Sequence, residues 1–84
     1  SGFAYDIDDR ILTAWRFTMA ITKCQNSEGI KQLEGAQEMV KLMFGDEGFS
    51  KFMEHIASQN DGFVPAEVVM AEVQEIFESK IPKN

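Results

Sequence analysis

The chain has 84 residues, with 14 acidic against 8 basic side chains, a net charge of −6, and a hydrophobic share of 44% that includes seven Phe and one Trp. That length suits one domain and not two, because each domain needs its own core and most exceed about 50 residues. The apolar content excludes a disordered tail, and the negative balance works against nucleic acid and anionic lipid, both of which recruit clustered Lys and Arg.

A chain this short buries only about 60 to 65% of its unfolded surface, so a single core leaves it marginally stable and self-association is expected. Cys24 is the one cysteine, which rules out an intrachain disulfide and favours a reducing, cytosolic compartment. No apolar run reaches the roughly 18 residues of a membrane span, and no charged-then-apolar leader opens the sequence. The start, Ser1-Gly2 without Met, reads as a tag remnant or a trimmed terminus.

In chain order, residues 3–7 alternate Phe3, Tyr5 and Ile7 with Ala4 and Asp6, the period of a strand face, and predict a short extended lead-in. Asp8 or Asp9 then caps a first helix over about residues 9–23, because an aspartate accepts hydrogen bonds from the first free amides and suits the positive end of the helix dipole. Ile11, Leu12, Trp15, Met19 and Thr22 form one stripe of it, while Ala14, Phe17, Ala20, Ile21 and Cys24 cover much of the remainder. A helix so apolar around its girth is either central to the fold or covered on a second side by a partner.

The polar run Gln25 to Gly29 ends that helix. Ile30, Leu33, Ala36, Val40, Met43 and Phe44 mark one face of a second, over 30–44. Gly45 closes it in a left-handed conformation, and Asp46 with Glu47 supplies acceptors for a third helix over 47–58, striped by Phe49, Phe52, Met53 and Ile56. Gln59-Asn60-Asp61-Gly62 is a turn. Phe63-Val64-Pro65-Ala66-Glu67 puts Pro at the first position of a fourth helix, over 65–79, with Val69, Val73, Ile76 and Phe77 on one face and Glu67, Glu72, Glu75 and Glu78 on the other. The expected fold is all-α: a small bundle of about four helices behind a short extended N-terminal segment, in a single domain over 1–84.

Few residues offer chemistry. His55 is the only histidine and Cys24 is remote from it in sequence, so a zinc site would need an unusual, mostly carboxylate ligand set. Asp6, Asp8 and Asp9, and separately Asn60, Asp61 and Gly62, match fragments of a calcium loop but lack its alternating ligands and terminal Glu, and read as a cap and a turn. There is no phosphate-binding glycine loop and no nucleophile motif. No enzyme activity, metal or cofactor is expected. Five Met, at 19, 39, 43, 53 and 70, suit either an adaptable binding groove or ordinary gap-filling in a core. Seven Phe, Trp15 and Tyr5 exceed what one small core hides, and an exposed apolar patch marks an interface.

Four segments taken together resemble the tail assembly chaperones of long-tailed bacteriophages and related prophages: Leu42-Met43-Phe44-Gly45-Asp46-Glu47-Gly48-Phe49, then Phe52-Met53-Glu54-His55-Ile56, then Asp61-Gly62-Phe63-Val64-Pro65-Ala66-Glu67, then Glu72-Val73-Gln74-Glu75-Ile76-Phe77-Glu78. Tyr5 to Arg10 with Trp15-Arg16-Phe17 is similar to the opening of those proteins, so the likeness spans Tyr5 to Glu78. It departs from them between Met19 and Gln37, which has no matching feature, and at Gly48-Phe49, where a polar-aromatic pair belongs.

The resemblance implies a protein of the bacterial host's cytoplasm that coats the tape measure protein, a long and poorly soluble helical chain, while tail tube subunits assemble around it. A longer frameshifted form recruits tail tube protein in that family, and both forms leave before the virion matures. Apolar helix faces would cover the client, an acidic exterior would keep the complex soluble, and many copies on one client would add avidity.

Candidate contacts are Trp15, Phe17 and Met19, from the over-apolar first helix, and Phe44, Phe49 and Phe63, which flank interhelical joins; core packing is the competing role for each. A second reading is a small acidic phage inhibitor or DNA mimic that binds a basic host enzyme.

Overall fold

The computed structural model describes residues 6–80 and is all-helical over that span, with no strand among the described residues. A 3-10 helix, Asp9–Thr13, precedes three α-helices: α1 (Trp15–Gln25), α2 (Ile30–Gln59) and α3 (Ala66–Lys80). Of the expected extended lead-in, residues 3–5 lie outside the described span, and Asp6 to Asp8 are in neither helix nor strand.

The start of the first expected helix, 9–23, is corrected. Asp8 does cap, accepting the Arg10 amide at 3.0 Å, but the element it opens is the 3-10 turn. That turn ends at Ala14, whose φ of −70° and ψ of 147° are extended, and α1 starts afresh behind it without a side-chain cap. Arg10 also clasps the Asp8 carboxylate through Nη2 at 2.6 Å. The side-chain and backbone hydrogen bonds from Arg10 hold the Asp8 pKa at about 2, below its ordinary 3.8. A depressed carboxyl stabilises the fold above its unfolded pKa, so this contribution is lost only as pH falls toward about 2.

The break at Ala14 resets the phase of the helix. Phe17 and Ala20 turn inward with Ile21 and Cys24 beside the core, whereas Trp15, Met19 and Thr22, expected to continue the stripe of Ile11 and Leu12, face outward. Phe17, Val40, Phe52 and Ile56 are the largest fully buried side chains. Ile7, Met39, Met43, Val73 and Ile76 complete the centre around them.

The second and third expected helices, 30–44 and 47–58, form one element with a kink, giving three α-helices where about four were expected. At Gly45 φ is 75° and ψ is 175°, so the backbone leaves the helical region within α2. Positive φ with extended ψ is open essentially only to glycine, and the expected left-handed closure is therefore half right: the sign of φ is as expected, while ψ is extended. The Phe44 and Phe52 rings, with centroids 5.6 Å apart, pack across the bend.

After α2, the amides of Asn60 and Gly62 both donate to the Ala57 carbonyl, at 3.1 and 2.8 Å, and Asp61 takes a φ of 55°. Chain direction reverses there. Pro65, which needs no amide donor, then leads into α3, and its carbonyl accepts from the amides of Val68 and Val69 at 3.1 Å.

Both α1 and α3 pack on α2. The closest seam lies between α1 and α2 at Gly35, where a Cβ would stand 2.7 Å from the Cys24 amide nitrogen and 3.0 Å from the Ala20 carbonyl oxygen. Lys23 bridges the rim of this seam to Glu38 at 3.3 Å and Glu34 at 3.4 Å, exposed pairs that contribute little. By contrast, α1 and α3 meet through side chains, with the Phe17 and Phe77 ring centroids 6.5 Å apart.

The polar face expected for the last helix needs one correction. Glu67, Glu75 and Glu78 are exposed, but Glu72 is buried, at 8% exposure, and its Oε1 has no hydrogen-bond partner. It falls one turn from Val68 and one from Ile76, inside the apolar arc of α3. An unbonded buried polar atom costs about 1–3 kcal/mol.

Two consequences are measurable by thermal or denaturant melts. Gly35→Ala forces two backbones apart and is expected to cost about 1–3 kcal/mol, and Gly45→Ala a similar amount through its positive φ; an unchanged melt for either contradicts the geometry. Glu72→Leu removes the unbonded oxygen and is expected to raise the melting temperature by several degrees, about 4–8 °C per kcal/mol for a domain of this size, while Glu72→Gln gives no such gain. A lower melting temperature for Glu72→Leu contradicts this account of Glu72.

Candidate protein-binding surface

The phase of α1 decides what the surface offers. With Phe17 and Ala20 committed to the core, Trp15 is 76% exposed and Met19 is 51% exposed. They sit one helical turn apart on the outer face of α1 and so form a joint apolar ridge. The adjoining hollow between α1 and α2 is lined by Arg16, Glu38, Lys41 and Leu42.

Of the six residues singled out from sequence, Trp15, Met19 and Phe63 stand in the open, Phe63 at 72% exposure in the connection before α3. Phe17 does not: it is fully buried against Phe77 and belongs to the core. Phe44 and Phe49 are half-buried, the first against Phe52 and the second beneath Lys41 Nζ at 5.1 Å from its ring centroid. The set therefore does not converge on one spot.

Sequence reasoning missed part of the exposed apolar surface. Periodicity puts Ile30 and Leu33 on the same helix face as Ala36, Val40 and Met43, yet Ile30 is 76% exposed and Leu33 is also open, as is Val64. The usable signal was position: Ile30 is the first residue of α2, directly after the loop, and Val64 precedes Pro65 in a connection.

Two open apolar grooves flank α3. The larger, about 420 Å³, runs between α1 and α3 over α2, with Ile21, Cys24, Met39, Met70, Val73 and Phe77 in its walls. Among the described residues its charged lining is Glu78, whose Oε2 accepts from Gln74 Nε2 at 3.3 Å. The second, about 210 Å³, lies between the two arms of α2 and the start of α3, walled by Leu33, Val40, Met53, Val64, Val69 and Met70. Met70 is common to both.

Cys24 is half-buried in the first groove, and desolvation pushes its thiol pKa above the ordinary value. That is the reverse of what a nucleophilic thiolate needs. His55 lies at the edge of α2's buried stripe, its carbonyl accepting Ser58 Oγ at 2.7 Å. Among the described residues no three His, Cys, Asp or Glu side chains gather as a metal site would require. Among them, too, no helix is long and apolar enough to cross a membrane. What the surface offers chemically is shape and apolar area: a Trp–Met ridge, an exposed loop aromatic and two grooves with flexible thioether walls.

Compared with protein-family models, curated proteins and solved structures, the chain matches none of them.

Proposed function

We propose that this chain is a tail assembly chaperone of a long-tailed phage or prophage, which binds the tape measure protein and keeps it soluble while the tail tube forms. The reading draws on the ordered resemblance from Tyr5 to Glu78. It is supported by the amount of large apolar side chain held outside the core, above all Trp15, Ile30, Phe63 and Met19.

Isolated apolar residues are ordinary on protein surfaces, but Trp15 and Met19 stand side by side one turn apart on α1 and form a joint apolar patch. They suit a client whose own apolar helical surface must be kept from water. The net charge of −6 then keeps a crowded complex soluble. Many copies spaced along one client would hold it by avidity, without any single tight contact. In this role the protein acts in the host cytoplasm, self-associates on the client, works with a longer form that recruits tail tube protein, and departs before the virion is complete.

A nucleic-acid mimic would present spaced carboxylates in place of a Trp–Met ridge, which favours the chaperone over the inhibitor.

Coexpression with a tape measure protein tests the proposal. The chain is expected to bring that protein into the soluble fraction and to co-purify with it. Trp15→Ala and Phe63→Ser, both surface changes with little effect on the melt, are each expected to weaken capture, by roughly thirtyfold if the aromatic is an anchor worth about 2 kcal/mol. A strictly monomeric chain that leaves the tape measure protein insoluble sinks the reading, and salt-sensitive capture of a basic nucleic-acid enzyme would replace it with the inhibitor.

A further inference from the structure

We propose that copies of this chain join head to tail, with the Trp15 and Met19 ridge of one seated on the outer stripe of α3 in the next. The inference rests on the reading above for what such a row covers. It also narrows that reading: the ridge goes to the neighbouring copy, while Ile30, Leu33 and Phe63 stay open to the client.

The first observation is how charge is divided. α1 carries Arg16 and Lys23 and no acidic residue, whereas residues 66–79 of α3 hold Glu67, Glu72, Glu75 and Glu78 and no basic one. Lys23 is already bridged to Glu34 and Glu38. Arg16 and Lys41, which line the hollow beside the ridge together with Glu38 and Leu42, are exposed and have no carboxylate in ion-pair reach among the described residues. In a protein of net charge −6, the ridge is thus an apolar spot bordered by two cations that no carboxylate neutralises.

The second is the form of the acidic stripe. Glu67, Ala71, Glu75 and Glu78 succeed one another at about one helical turn on α3, and all four are exposed. Ala71 makes a flat place in that stripe, with a glutamate about 6 Å along the axis on either side. A Trp ring fits such a place. A cation next to the ring, as Arg16 is next to Trp15, then comes within reach of the flanking carboxylates. Lys80 does not interrupt the stripe: nine residues past Ala71, its backbone position falls about half a turn round α3.

The third is that neither face suits itself. An isologous contact puts the same patch on both copies, which sets Arg16 and Lys41 against their own kind, or glutamates against glutamates, and like charges so placed cost affinity. Ridge on stripe pairs opposite charges. Because the two faces differ and belong to different helices, each contact leaves a free ridge at one end and a free stripe at the other, so the row stays open unless its rotation closes it into a ring.

Sedimentation of two complementary variants tests the contact. Trp15→Glu removes the ring and sets a carboxylate beside Arg16; Ala71→Lys fills the flat place with a cation. Both are surface changes expected to keep the wild-type melt, and Met19→Glu replaces Trp15→Glu if that melt shifts. The wild-type chain is expected to grow in mass as its concentration rises, and to grow less at high salt. Each variant alone is expected to associate at least about thirtyfold more weakly. Mixed, the two are expected to form a one-to-one pair that grows no further, because the ridge of the Ala71→Lys chain still meets the stripe of the Trp15→Glu chain.

A wild-type chain that stays monomeric overturns the proposal, as does a dimer that stops at two, growth that Ala71→Lys leaves unchanged, or a mixture of variants that does not pair. Capture of a tape measure protein alongside any of these results leaves the chaperone standing without this interface. A one-to-one pair with no capture supports the interface and sinks the chaperone.

Discussion

Everything in this fold is arranged around the contact of two backbones at Gly35. With no Cβ at that position, α2 comes close enough for Ala20 and Cys24 of α1 to lie against its main chain, and so close an approach leaves one rotational setting for α1. Phe17 goes inward, one turn before Ala20, and Ile21 and Cys24 border the core. Trp15 and Met19 then have nowhere to go but outward. The exposed ridge is thus a consequence of how the core is keyed: it could be withdrawn only by rotating α1 and breaking its seam with α2.

The second constraint is the bend at Gly45. A straight helix of the length of α2 would reach about 45 Å at 1.5 Å per residue, too long for one side of a body whose longest extent is 35 Å. Folding the element at Gly45 brings Phe52 and Ile56 back over the same centre as Val40 and Met43. One core therefore forms from both arms. The cost is uneven coverage: α1 seals one side of α2, while α3 lies across the opening with a groove on either flank. Glu72 weakens the seat of α3 further, because a carboxyl oxygen without a partner occupies a place in the buried arc where an apolar group would pack.

Much of this was legible in the sequence wherever local chemistry decides the outcome. Asp8 as a cap, positive φ at Gly45, the reversal at Asn60 to Gly62 and the start behind Pro65 all follow from what those side chains permit at a single position. The apolar stripes of Phe52 with Ile56 and of Val73 with Ile76 were equally readable, because both segments pack on one side only. What the sequence concealed depends on partners. Ala14 carries no signal for a break, being the best helix former of all, yet the break there separates the phase of Ile11 and Leu12 from that of Trp15 and Met19. Ile30 and Leu33 fit the apolar stripe by period, but Ile30 is the first residue of α2 and Leu33 stands in the open wall of the second groove. Glu72 looks like a member of an acidic face until the position of α3 is known. The grooves were invisible for the same reason: a gap between helices is a property of their packing and of no residue in it.

These departures share a direction. Where pattern and structure disagree, apolar groups that could have been inside are outside, at Trp15, Met19, Ile30 and Leu33, and an acidic group that belongs outside is inside, at Glu72. Optimising the isolated chain for stability would reverse both. Local choices that conflict with the global fold cluster where function, and not stability, sets the residue, and in this chain they lie on α1, α2 and α3 alike. The exposed members of that set belong to α1 and the start of α2, while the one on α3 is buried, so the apolar surface is built on the first two helices and α3 gives up stability beneath it.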